Sequence, residues 1–221
     1  MASPNATKSV PFRTWVLGAS FGGPKALTEF LQNLADNLPV CLIVAQHIHP
    51  QHAGDFCRQL ARLTRYPTRL AQTGSQLAAG TILVSPSDKQ FTIDASGQLT
   101  LQNYTTPPPC HPSIDLLLET VATARPGQCG AIIFSGMGND GTRGSQTLYQ
   151  HQGVVWAQSA SSSTISSMPD SVRARGIVSY SAPPKQLARQ LQVYSLSAST
   201  RVSSPACNRG YTPTTHTQPS A

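Results

Sequence analysis

Charge is scarce in this sequence: 11% of its 221 residues are Asp, Glu, Lys or Arg, and only 9 are acidic against 16 basic. The formal charge of +7 favours an acidic partner, whether nucleic acid, membrane surface or a glutamate-rich protein. Sign alone does not choose among these, but the lack of any Lys/Arg run argues against nucleic acid. The five cysteines, at positions 41, 57, 110, 129 and 207, show no CxxC spacing, which excludes a zinc ribbon and a regular disulfide framework. Such a set fits a reducing cytoplasm. Long apolar runs are missing too, so no direct membrane insertion is expected. The opening residues "MASPNATKSVPFRT" lack the apolar core of a secretory signal. Internal repeats are likewise absent.

What the chain does contain is an alternation of short apolar runs with helical patterns, the signature of an α/β fold. "TWVLGAS", "PVCLIVAQ", "TILVS", "GAIIFSG", "GVVWAQ" and "GIVSYS" read as strands of a mainly parallel sheet. "FTID" and "LTLQ", joined at Ser96-Gly97, read as an antiparallel β-hairpin. Helices are expected over "PKALTEFLQNLA", "AGDFCRQLARLTR", "PSIDLLLETVATA" from Pro112, "GTRGSQTLYQHQ", "PDSVRAR" and "PKQLARQL". The expected architecture is a doubly wound α/β/α sandwich over residues 14–194, after a short extension of residues 1–13. Residues 195–221 are Ser/Thr/Pro-rich, offer little to bury, and read as a disordered tail.

Three polar residues stand at predicted strand ends, where open α/β sheets bind ligands: Ser20, His47 and, in "GMGNDG", Asp140. A hydroxyl, an imidazole and a carboxylate are the parts of a serine hydrolase. Each has a plainer reading. The glycines of "GASFGG" can cradle a phosphate, His47 can be a hydrogen-bonded strand-end residue, and Asp140 can cap the helix that begins near Gly141. The chain order Ser20, His47, Asp140 is not that of a general α/β-hydrolase, which only His216 would restore. "HIHPQH" clusters His47, His49 and His52 but holds no carboxylate, so no metal site is expected. Arg58, Arg62 and Arg65 fall at helical spacing with Phe56, Leu60 and Leu63 on the apolar face. They form either a solvated face or a basic surface for acidic substrate helices.

The motifs "GASFGGPKAL", "VAQHIHPQHAGDFCRQL", "PSIDLLLE", "GMGNDG" and "SSMPDSVRARGIV" occur in the order seen in the catalytic domain of chemotaxis protein-glutamate methylesterases. The likeness to this family, the CheB family, runs from about Thr14 to Leu191. It implies cytoplasmic hydrolysis of γ-glutamyl methyl esters on chemoreceptor helices, and deamidation of receptor glutamines as a second activity. By motif position Ser20 is the nucleophile, His47 the base and Asp140 the orienting acid. Backbone support for an oxyanion falls to Phe21, Met137 and Gly138, and no cofactor is implied.

The chain departs from the family pattern at three places. Phe21 replaces a threonine after the nucleophile, His111 an arginine before "PSID", and Ser159-Ala160 an acidic pair. The alternatives are therefore a catalytically weakened receptor-binding homologue and, further off, a phosphate- or nucleotide-binding α/β module. Relatives commonly carry an N-terminal receiver domain. Here the first catalytic strand starts near Thr14, so control by a separate regulatory protein, or none, is expected.

Overall fold

A strand apolar on both faces must be covered on both faces, and this chain supplies two layers of helix to do so. The computed structural model describes residues 12–201. In chain order the first half contains β1 (Arg13–Ala19), α1 (Gly23–Gln32), β2 (Val40–Gln46), α2 (Pro50–Ala61), β3 (Thr68–Leu70) and β4 (Thr81–Val84). There follow β5 (Gln90–Ile93), β6 (Leu99–Gln102), α3 (Ile114–Ala124), β7 (Cys129–Ile133) and α4 (Thr142–Gln150). The chain continues through β8 (Val154–Gln158), α5 (Ser167–Arg173), β9 (Tyr180–Ala182) and α6 (Pro184–Arg201).

Seven strands form one sheet in the order β3-β4-β2-β1-β7-β8-β9. Every pairing in it is parallel. Side chains of adjacent strand residues point to opposite faces, and the core divides accordingly. Trp15, Leu17, Leu42 and Val44 pack with Phe30, Leu60 and Leu187 on the face covered by α1, α2 and α6. Val16, Ile43 and Ile133 pack with Leu118, Leu148 and Val172 on the face covered by α3, α4 and α5. β5 and β6 form the expected antiparallel hairpin, with Thr120 of α3 donating to the Phe91 carbonyl.

Several elements differ from the sequence reading: the strand expected over "GIVSYS" is confined to β9 at Tyr180–Ala182, and α1 stops at Gln32, short of the "NLA" expected to continue it. β3 is an edge strand of three residues, too short to carry a periodic signal. α2 ends at Ala61 with Arg62 as its cap, so Arg65 lies beyond the helix. α3 begins at Ile114, because the Ser113 hydroxyl caps it by accepting from the Leu116 N–H at 3.3 Å. α6 runs through Ser195 to Arg201, seven residues into the segment read as tail. Tyr194 holds it there, packing edge-on against Trp15 and Trp156 with ring centroids 5.7 Å apart in each case. Residues 1–11 and 202–221, and with them His216, Cys207 and most of the expected tail, lie outside the described residues.

All strands run the same way, but the side on which successive strands are added switches at β1. β2, β4 and β3 lie on one side of it, and β7, β8 and β9 on the other. The loops after β1 and β7 therefore diverge at the carboxyl edge, leaving the crevice where doubly wound sheets bind ligands.

Candidate active site

Ser20 is the first residue past β1, and His47 the first past β2. Ala19 and Gln46 are paired in register, and the His47 N–H donates to the Ala19 carbonyl at 2.9 Å. Gln46 ties the two strand ends together. Its buried Nε2 donates to the Ser20 carbonyl at 2.9 Å and to the His47 carbonyl at 3.0 Å. On the other side, the Ser20 N–H donates to the Ser135 carbonyl at 3.0 Å, which fixes the serine turn against the loop after β7.

Gly136 lets that loop lie close. A Cβ there would stand 2.8 Å from the Ser20 Cβ and 2.1 Å from the Met168 Sδ, so no larger residue fits without movement. The Ser135 hydroxyl braces the same corner by donating to the Phe21 carbonyl at 2.8 Å and accepting from the Ile165 N–H at 3.0 Å. The Ser20 hydroxyl itself engages no hydrogen-bonding partner among the described residues.

The imidazole and carboxylate meet directly. His47 Nε2 lies 2.8 Å from Asp140 Oδ2, with both side chains about one-tenth exposed. Asp140 does not cap α4, whose N-cap is Gly141 without side-chain help. It reaches across to the start of α3 instead. Oδ2 accepts from the Ile114 N–H and Oδ1 from the Asp115 N–H, each at 2.9 Å, while Oδ1 also accepts from the Gly141 N–H at 2.9 Å. The amides at a helix start carry partial positive charge, so this is a suitable seat for an anion. Burial pushes the Asp140 carboxyl upward, but the bonds from His47, Ile114 and Asp115 outweigh it and hold the group below its ordinary value. An ionised acceptor at Nε2 makes that nitrogen the proton carrier and leaves Nδ1 as the imidazole's free lone pair.

Two amides at the rim are unengaged. Among the described residues, the N–H groups of Phe21 and Met137 donate to no protein acceptor, and both side chains are exposed. The Gly138 N–H is occupied, donating to the Ser167 hydroxyl at 3.0 Å. Beside His47 opens a cleft of about 610 Å³, lined by Ile48, His49, Pro50, Asp88 and His111.

The remaining candidates separate. His49 Nδ1 caps α2 by accepting from the Gln51 N–H at 3.4 Å, which accounts for one histidine of "HIHPQH". Arg58 pairs with Asp55 on the exposed face of α2, and Arg65 with Asp36 at 3.4 Å. The three arginines thus form no continuous helical stripe. Sequence reasoning missed Gln46, Ser135, and the α3 amides that hold Asp140. Only a polar residue closing an otherwise apolar strand, as Gln46 closes "VCLIVAQ", gave any signal.

The fold and sequence have counterparts among known proteins. A family model described as CheB methylesterase matches residues 15–191. The Saccharophagus degradans protein named protein-glutamate methylesterase/protein-glutamine glutaminase 1 is 32% identical over 176 residues, 79% of this chain and 48% of its own. A like-named Anaeromyxobacter dehalogenans protein is 35% identical over 193 residues, 86% of this chain and 56% of its own. This chain thus spans about half the length of those relatives. The crystal structure of the Thermotoga maritima CheB methylesterase catalytic domain superposes with a TM-score of 0.79 at 26% identity, covering 83% of this chain and 98% of that one.

Proposed function

The chain belongs to the CheB methylesterase family, and we propose that it hydrolyses γ-glutamyl methyl esters on chemoreceptor helices with Ser20 as nucleophile. The observation that carries this reading is the His47–Asp140 pair, seated on the start of α3 and set at the strand end next to Ser20. The substrate is a methylated receptor in the cytoplasm. Glutamine side chains at similar positions are a second substrate, since their amide carbonyl accepts the same attack.

His47 Nδ1 takes the Ser20 proton as Oγ attacks the ester carbonyl. Asp140 stabilises the imidazolium through Nε2. The amides of Phe21 and Met137 are free to receive the developing oxyanion, while that of Gly138 serves the loop. Phe21 lacks the family's hydroxyl but keeps its N–H, so the substitution leaves the backbone donor in place. Collapse of the tetrahedral intermediate transfers the imidazolium proton to the departing methoxide, and methanol leaves. Water, deprotonated by His47, then attacks the acyl-enzyme and releases glutamate.

Incubating the protein with methylated receptor membranes and measuring methanol tests the reading. Release above the membrane background supports it. Absence of release from receptors that another methylesterase demethylates in parallel overturns it.

A further inference from the structure

His47 and Asp140 have a third neighbour that ester hydrolysis does not use. Cys110 lies in the loop between β6 and α3 and is partly buried. One ligand atom each from Cys110 (its Sγ), His47 and Asp140 all lie within 4.8 Å of one another. Sequence spacing gives no hint of this, because the three come from loops after β2, β6 and β7.

One thiol, one imidazole and one carboxylate make a donor set for a borderline-soft divalent ion rather than for magnesium or calcium, which prefer oxygen alone. Tetrahedral zinc with bonds of 2.0–2.3 Å places its ligand atoms about 3.3–3.6 Å apart. The present separations bracket that spacing, from 2.8 Å between His47 and Asp140 to the 4.8 Å limit for the set. An ion shared by all three displaces the His47–Asp140 hydrogen bond and takes its place between the two side chains. Charge also closes: a divalent cation with one thiolate and one carboxylate is neutral, which suits a partly buried position.

We propose that His47, Cys110 and Asp140 form an inhibitory zinc site, with water in the fourth position. Binding exchanges the Cys110 S–H bond for an S–Zn bond and releases one proton to solvent. Inhibition rests on His47 being the base for Ser20; the binding itself does not. A zinc on Nδ1 occupies the lone pair that accepts the serine proton. A zinc on Nε2 instead breaks the pairing with Asp140 and reverses the tautomer. Either way the imidazole is out of use.

The test titrates chelator-stripped full-length protein with Co²⁺, followed by Zn²⁺ competition. A thiolate-to-cobalt charge-transfer band saturating at one Co²⁺ per chain, and bleached by Zn²⁺, is expected. Cys110→Ala and Cys110→Ser, checked for folding by circular dichroism, should both lose the band and weaken Zn²⁺ binding by at least about tenfold. A band unchanged in both variants, or none in the wild-type protein, overturns the site. This readout stands even if methanol release fails. In the release assay, Zn²⁺ should inhibit the wild type reversibly on adding chelator. The Cys110 variants should keep basal activity and need at least about tenfold more Zn²⁺ for the same inhibition. Undiminished inhibition of those variants would overturn the inhibitory role.

Discussion

At the scale of single residues, Asp140 carries two tasks at once. It receives the Nε2–H of His47, and it satisfies the first amides of α3. Asn at this position presents one acceptor oxygen where the carboxylate presents two, and turns an NH₂ group toward donors. Asp140→Asn should therefore lose about 10⁴-fold in kcat through misplaced imidazole. It should also lose about 1–3 kcal/mol of stability through unsatisfied amides, measured by urea unfolding. The pH dependence separates these effects. The folded carboxyl titrates below its unfolded value of about 3.9, so its stabilisation is complete above that pH. It is lost as pH falls through the lower, folded value. The wild-type unfolding midpoint should drop across that acid window more steeply than that of Asp140→Asn. Parallel curves would contradict the assignment of the low value to this residue.

The scale of elements explains how such residues are held. α3 and α4 touch at Gly144, where a Cβ would lie 2.5 Å from the Asp115 carbonyl oxygen and 2.7 Å from the Leu118 Cβ. Gly144→Ala gains up to about 1 kcal/mol of helix propensity but forces two backbones apart, at a cost of about 1–3 kcal/mol. A carbonyl oxygen cannot swing aside, so the variant should be destabilised. Its kcat should fall as well, because the displaced start of α3 is the seat of Asp140. Gly54→Ala is the contrast. Its Cβ would meet only an Arg58 guanidinium nitrogen at 3.6 Å, so thermal unfolding should show it stabilised by about 0.5–1 kcal/mol. The sequence revealed these helices but not their ends. Hydrophobic spacing carried the reading of α2 past Ala61 to Arg65, although the cap at Arg62 had already closed it. The plainer reading of Asp140, a cap for the helix near Gly141, names the right kind of bond but the wrong helix: it holds the start of α3 from a loop 25 residues downstream of Asp115. Local pattern reports a residue's chemistry; only the sheet decides which helix start it meets.

For the whole molecule, the order of strands converts that local chemistry into a site. Apolar runs such as "CLIVAQ" and "GAIIFS" announced buried parallel strands because both faces are covered, whereas the three-residue edge strand β3 left no trace. The switch at β1 then brings Ser20, His47 and Asp140 to one edge from positions far apart in sequence. The aromatic cluster of Trp15, Trp156 and Tyr194 supports the sheet, and Trp15 lies on the face covered by α1, α2 and α6. Tyr194→Ala should therefore lower stability by about 2–4 kcal/mol while leaving kcat for methanol release unchanged well below the melting temperature. A proportionate loss of kcat in the folded variant would show that the two regions are coupled.

The central claim is covalent catalysis by Ser20, and trapping the intermediate tests it most directly. Mix the protein with a methyl-esterified receptor peptide, quench in acid within the first turnovers, digest, and read the Ser20 peptide by mass spectrometry. The account predicts a glutamyl-peptide adduct on Ser20 that forms as methanol appears. Folded Ser20→Ala should show no adduct and a methanol rate lower by about 10⁴-fold or more. Full methanol release by that variant, or an adduct on another residue in the wild-type protein, would contradict it.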